Sequence, residues 1–399
     1  MTRRSLLSKL ALAASPAFAA VPREESHALI HVFLRGGADT LNLFVPHADD
    51  RYYRLRPGLA IPVKEAIRIS DHYALHPAMK PLEALYKEGR FGAVQSVGVD
   101  NTSGSHFDCQ DQMEHGDSMH GTPAGGGWLG RFLRLNAQDA ASALSAVAIG
   151  TVLPESLRGA PAASVLERIE DISIKAAKDS GAVVKALEAM YGAEVTLLGH
   201  RGKETLDLFQ RVSALHGKGE APEHGAMYPK DAFGSGLREI ARLVKARLGL
   251  QVACIDLGGW DTHFFQGNAT GTQAEKIRTL AEGLTALDTD LKDHRARYTV
   301  MITTEFGRRV YENASLGTDH GRGFAFMALG DRVKGGQVLG SWPIQAEEEI
   351  NVNTPGPGGL HAETDYRAVF AEVLQGCFGS SVNLAQVFPG AALGKVGLL

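Results

Sequence analysis

The chain has 399 residues, 44% of them apolar, with 41 basic and 45 acidic side chains and a formal net charge of −4. That length and apolar fraction suit a globular, enzyme-sized protein, as one large α/β domain or two smaller ones. A mildly acidic chain with no basic block is a poor nucleic-acid binder, and Cys109, Cys254 and Cys377 are too few and too widely spaced for a disulfide framework.

In chain order, Thr2-Arg3-Arg4-Ser5-Leu6-Leu7 pairs two arginines ahead of apolar residues, Leu10 to Ala14 form a modest apolar stretch, and Ala17-Phe18-Ala19 has the small-x-small pattern of a cleavage site. Residues 1–19 therefore predict a signal peptide. Adjacent arginines before a weak apolar core predict the twin-arginine route rather than an ordinary secretory signal. The expectation is a periplasmic or extracellular protein, with the twin-arginine translocase as a partner during export. The apolar stretch is shorter than the ~20 residues that span a bilayer, and no later segment reads as membrane-spanning. Residues 20–399 are expected to form a single α/β domain.

Ala28 to Leu34 is a short apolar run closed by Arg35-Gly36-Gly37, a buried strand and tight loop. Pro77 to Lys87 predicts a helix with proline near its start. Phe91 to Val99 predicts a strand, Ser105 to His115 a helix capped by Ser103 or Ser105, and Ala143 to Ile149 a third strand. Residues 171–216 are mainly helical by composition, and 217–230 form a loop. Leu237, Ile240, Leu243, Val244 and Leu248 mark a helix face. Val252 to Leu257 is a strand. Ile277, Leu280, Leu284, Leu287 and Leu291 follow the 3-4-3-4 spacing of a long helix packed on a sheet. Tyr298 to Thr303 and Phe324 to Leu329 are strands, 351–359 a loop, and Asp365 to Leu374 a closing helix. This alternation predicts a three-layer sandwich, a mostly parallel sheet with helices on both faces. Such sheets carry their sites at the carboxyl ends of the strands.

The segments after those strands hold the chemistry: Gly36-Gly37-Ala38-Asp39, Gly104-Ser105-His106-Phe107-Asp108, Gly259-Trp260-Asp261-Thr262-His263, Thr304-Glu305-Phe306-Gly307-Arg308 and, a little beyond, Thr318-Asp319-His320-Gly321-Arg322. Carboxylates and imidazoles crowded at one edge suit a divalent metal, Zn, Mn or Ca, as one or two ions. Two ions ~3.5–4 Å apart would clamp an anionic ester. A serine at a helix start gains as a nucleophile from the helix dipole and from a metal. Each residue also has a plainer role. Ser105 and Asp261 are good helix caps, Asp39 and Asp319 good turn residues, and Glu305 a partner for Arg308 or Arg309. His106 and Asp108 are expected behind the ligands rather than among them. Arg35, Arg308 and Arg322 are candidates for holding an anion.

Arg35-Gly36-Gly37-Ala38-Asp39 with Leu41-Asn42, Ser105-His106-Phe107-Asp108, Gly259-Trp260-Asp261-Thr262-His263, Glu305-Phe306-Gly307-Arg308, Asp319-His320-Gly321 and Thr364-Asp365-Tyr366-Arg367 resemble the domain-of-unknown-function 1501 family. The resemblance covers nearly the whole chain beyond the signal, in order. That family is typically twin-arginine exported and is similar in fold to the alkaline phosphatase and sulfatase superfamily. It implies metal ligands at Asp39, Asp261, His263, Glu305 and His320 and a nucleophile at Ser105. Glu305 is followed by Phe306 where the superfamily often has histidine, so Asp319 or His106 would have to replace that imidazole. The Asp261–His263 spacing is tighter than the superfamily's common one, and Thr102 and Ser103 lie near the nucleophile position.

The expected function is a metal-dependent hydrolase of phosphate or sulfate esters, acting on a small anionic ester or a polymer-linked one. Ser105 or metal-bound water would be the nucleophile, with Arg308 and Arg322 on the anion. The alternative is a non-catalytic exported binding or assembly protein on the same scaffold. A metal-free esterase is weakened by the lack of a Gly-x-Ser-x-Gly elbow.

Overall fold

The computed structural model describes residues 27–99, 103–116, 125–136, 143–173, 180–193, 197–216, 221–341 and 358–399. The expected signal segment, Thr102, residues 174–179 and 194–196 of the expected helical stretch, and residues 217–220 and 351–357 of the two expected loops lie outside the described residues. The strands are β1 Ala28–Arg35, β2 Phe44–Val45, β3 Ile67–Arg68, β4 Ala74–Leu75, β5 Phe91–Gly98, β6 Ala146–Ile149, β7 Ser164–Leu166, β8 Val252–Gly258, β9 Tyr298–Thr304, β10 Phe324–Gly330, β11 Val338–Leu339 and β12 Thr364–Asp365. Among the described residues nine of them form one sheet in the order β11-β5-β10-β9-β1-β8-β6-β7, with β12 also on β5. The other three form a small sheet, β2-β4-β3.

The expected three-layer α/β architecture is present. Side chains alternate across β1 as the pleat requires. Ile30, Val32 and Leu34 pack in a core with Leu237, Ile240, Leu280 and Leu284, from the helices Ala232–Ala246 and Thr272–Asp290. Leu29 and Phe33 pack in a second core with Trp128, Phe132, Phe370 and Leu374, from the helices Trp128–Leu135 and Tyr366–Phe378. Every pairing in the large sheet is parallel except the two made by β10. That exception matters for function. Because β10 runs against its neighbours, its start lies at the edge where β1, β5, β8 and β9 end, which brings the Asp319–Arg322 segment to the site.

Two local expectations shift and a third holds. The segment Pro77–Leu82 is a 3₁₀ helix and only Glu83–Lys87 is α-helical. Pro81 lacks the N–H that a continuous α-helix needs there. The 143–149 strand begins at Ala146. The 171–216 stretch contains the helices Ser180–Ala193 and Leu197–Ser213. Among the described residues no helix is long and apolar enough to cross a membrane.

Candidate metal centre

The loops at this edge are locked by buried polar contacts. Gly36, at φ 120°, lies so close to the next loop that a Cβ would stand 2.5 Å from the Asp261 nitrogen, and one on Gly37 would meet the Phe306 ring at 2.3 Å. Only glycine allows both the backbone angle and the approach. Arg308, fully buried, donates from Nε to the Gly37 carbonyl (2.5 Å), from Nη1 to that of Thr318 (2.7 Å), and from Nη2 to the Gly36 carbonyl and to Asp261 Oδ1 (2.7 Å). It therefore staples three loops together from a side chain that is fully buried. Arg308 is not available to an incoming anion, contrary to the expectation from sequence. Arg35 is likewise committed, to Glu114 and Asp256. Arg322 is half-buried, two residues beyond His320.

Four side chains converge. The ligand atoms of His106, Asp261 and His320 all lie within 4.8 Å of one another. Asp261 Oδ1 is 3.4 Å from His106 Nε2, 3.1 Å from His263 Nε2 and 3.4 Å from His320 Nε2. The opposite nitrogen of each ring is tied down. His106 Nδ1 donates to Glu305 Oε1 (2.7 Å), His263 Nδ1 to Asp319 Oδ1 (3.0 Å) and His320 Nδ1 to the Gly104 carbonyl (2.7 Å). These acceptors assign the tautomers and leave three Nε2 lone pairs facing inward. His263 Nε2 and His320 Nε2 are 2.9 Å apart, and His106 Nε2 is buried with no hydrogen-bond partner. Lone pairs so placed repel unless a cation sits among them.

The carboxylates behind the rings are strongly held. Glu305 Oε1 also accepts from Gln110 Nε2 (2.8 Å) and the Gly36 N–H (2.9 Å). Burial pushes the Glu305 carboxyl up, but these hydrogen bonds prevail and hold it below the ordinary range. In return the bond to Glu305 raises His106 against the pull of burial. Burial likewise opposes ionisation of Asp261 and Asp319. Arg308 overcomes it for Asp261, and Asn313 with His263 for Asp319, so both lie below the usual carboxyl value. His320 is lowered by burial first, and also by Arg308.

The structure thus brings together Asp261, His263 and His320 and adds His106, which sequence reasoning set behind the ligands. Glu305 and Asp319 stand one step back, each orienting an imidazole. Asp39 is not brought in. Its oxygens take Arg56 Nη1 (2.6 Å), Arg56 Nη2 (3.0 Å) and Gln266 Nε2 (2.7 Å), fully buried. Arg56 answers the carboxylate within the core, and no sequence pattern marks that pairing. Ser105 is the N-cap of the helix His106–His115, its hydroxyl accepting from the Asp108 N–H at a long 3.5 Å. It stands between Gly104, whose carbonyl holds His320, and His106.

The sequence matches the family described as Protein of unknown function (DUF1501) over residues 26–369, and the chain belongs to that family. A search of curated proteins finds no match. Among solved structures the chain is similar to the C-terminal periplasmic domain of EcEptC from Escherichia coli, in complex with Zn (9% identity, 77% of this chain and 73% of that one, TM-score 0.35). It is also similar to alkaline phosphatase from the Antarctic bacterium TAB5 (10%, 89% and 100%, TM-score 0.33). The PsFucS1 sulfatase from Pseudoalteromonas sp. is a third (12%, 79% and 65%, TM-score 0.28). At these scores the likenesses carry no argument about this chain's chemistry.

Proposed function

We propose that this member of the family is a metal-dependent hydrolase of phosphate or sulfate esters. The observation that carries it is the approach of three imidazole Nε2 atoms to within 3.4 Å of Asp261 Oδ1, each ring held from behind by an acceptor. His106, His263, His320 and Asp261 would hold one divalent ion. A nitrogen-rich donor set suits Zn or Mn and does not suit Ca, which takes oxygen ligands. Such an ion polarises an ester oxygen and lowers the pKa of a nearby hydroxyl or water. Glu305, Asp319 and the Gly104 carbonyl fix ring orientation and keep Nδ1 protonated. Arg308 holds Asp261 ionised and in place. Ser105, at the positive end of a helix dipole, is the proposed nucleophile, with water as its alternative. Arg322 is proposed to meet the anionic group.

Elemental analysis followed by assay on aryl phosphates and sulfates tests this. About one equivalent of Zn or Mn per chain is expected, with chelator-sensitive turnover, both lost in Asp261→Ala. Tight metal with no turnover across ester classes would favour a binding or assembly protein instead. Turnover surviving exhaustive chelation would favour a metal-free esterase. Export through the twin-arginine route is part of the proposal. Ligands spread from His106 to His320 meet only in a folded chain, so metal affinity and folding are coupled, and folded export would let the metal be chosen beforehand. Replacing Arg3 and Arg4 by lysine should retain the protein in the cytoplasm; unchanged export would remove that part.

A further inference from the structure

Among the described residues three aromatic side chains are largely exposed: Phe107 (86%), Phe264 (69%) and Phe265 (74%). All three lie within two residues in sequence of imidazoles of the metal centre. Phe107 follows His106, and Phe264 and Phe265 follow His263, with the Phe264 ring centroid 6.3 Å from that of His263. Leu316, also exposed, is joined to the same loop, since the Phe265 N–H donates to the Ser315 carbonyl (3.0 Å) and the Gln266 N–H to the Leu316 carbonyl (2.8 Å). Phe265 and Leu316 hold φ values of 47° and 55°. Bulky side chains rarely adopt that left-handed region, and strain of this kind concentrates at ligand clamps. The apolar character continues inward. Buried Phe306 lies with its ring centroid 4.9 Å from that of His106 and 4.6 Å from that of His320.

Rings left in water bury little apolar area in the fold, and three of them next in sequence to imidazoles of the centre make its surroundings apolar. We infer that they receive the alcohol part of the ester, so that the substrates are phosphate or sulfate monoesters of apolar alcohols, aryl or alkyl. This rests on the ester-site reading above. The anion would lie at the metal centre while the apolar group, leaving as the alcohol, lies against Phe107, Phe264 and Phe265.

The test uses phenylphosphonate and methylphosphonate, neither of which offers an ester bond, titrated calorimetrically into the zinc-loaded protein. Phenylphosphonate is expected to bind at least about tenfold more tightly. In the double variant Phe107→Ala, Phe264→Ala the ratio should fall to about one. Both side chains are exposed, and an unchanged circular dichroism spectrum checks folding. Equal affinities in the unmodified protein, no binding of either compound, or a preference that survives the double variant would overturn the inference. So would binding to phosphatidylcholine vesicles in place of any phosphonate preference, which would assign the rings to a bilayer surface. A protein that keeps the preference yet hydrolyses no ester would keep the rings as the seat of the apolar group and sink the hydrolase reading, and with it the claim that such esters are substrates.

Discussion

Asp39 and Asp261 follow neighbouring parallel strands, reach the same edge of the same sheet, and are set in opposite surroundings. Asp39 faces donors only: the Arg56 guanidinium and the Gln266 amide close its lone pairs away from water. Gln266 is itself saturated, accepting from Thr262 and Thr318 and donating to Gln273. Asp261 has one donor, Arg308, and three ring nitrogens whose protons are directed elsewhere. A carboxylate met by donors is finished as structure. A carboxylate met by further acceptors is a place for a cation. Residue type and place shortly after a parallel strand are alike for both; the protonation of the partners separates them.

The largest effect expected from this contrast is on stability. Arg56→Met leaves Asp39 buried without its counter-charge and should destabilise by ~3–5 kcal/mol in urea unfolding. A loss below ~1 kcal/mol would show that the pair is not the structural one. Asp261→Ala should do the reverse. The metal-free protein should stay within ~1 kcal/mol of the parent, since Asp261 is half-exposed, while bound metal and the stabilisation it brings disappear. Glu305→Gln should weaken metal binding by roughly 10–100-fold, because His106 loses the charged acceptor that sets its ring and raises its basicity. Unchanged affinity would place Glu305 outside the centre's support.

A smaller effect lies in β1, which leads into the loop that holds Asp39. His31 is fully buried, bonded through Nε2 to Thr303 Oγ1 (3.0 Å), and burial lowers its pKa from 6.5 to about 3. The unfolded chain therefore takes up its proton first. The stability associated with neutral His31 is complete above pH 6.5 and is lost as the pH falls toward about 3. Between pH 7.5 and 5.5 the loss should be roughly 1 kcal/mol. His27 is lowered to about 3 as well, so His31→Gln should lessen the slope without abolishing it. An unchanged slope would count against a neutral buried imidazole. In stability the smallest expected change is in Ser105→Ala, ~0.5–1 kcal/mol as a lost cap, whereas its turnover should be lost with the nucleophile. If turnover is instead unaffected, Ser105 is a cap alone and water is the nucleophile.

Much of the fold was legible because buried strands and amphipathic helices carry their period in the sequence. β1, β8 and β9 were each read to within one residue, and the apolar stripe from Ile277 to Leu287 lies on one long helix. The direction of β10 was not legible, because Phe324 to Leu329 looks the same either way round. The available clue was the link from Thr304 to Phe324, which has no helical pattern, whereas parallel neighbours usually need a helical crossover. The helix Trp128–Leu135 was missed, being eight residues long. In the site, the Asp261–His263 and Asp319–His320 pairs stood out as polar groups in glycine-flanked loops. The exchange of places between His106 and Glu305 did not, since either type ligates metal and only side-chain direction decides. The commitments of Asp39 to Arg56 and of Arg308 to backbone carbonyls join residues distant in sequence, and no local signal marks them.

Anomalous diffraction from crystals of the zinc-loaded protein tests the contrast most directly. The expected result is one peak bonded to Nε2 of His106, His263 and His320 and to an Asp261 oxygen, at ~2.0–2.2 Å, with Asp39 still on Arg56. A peak coordinated by Asp39, or none among the three imidazoles, would contradict it.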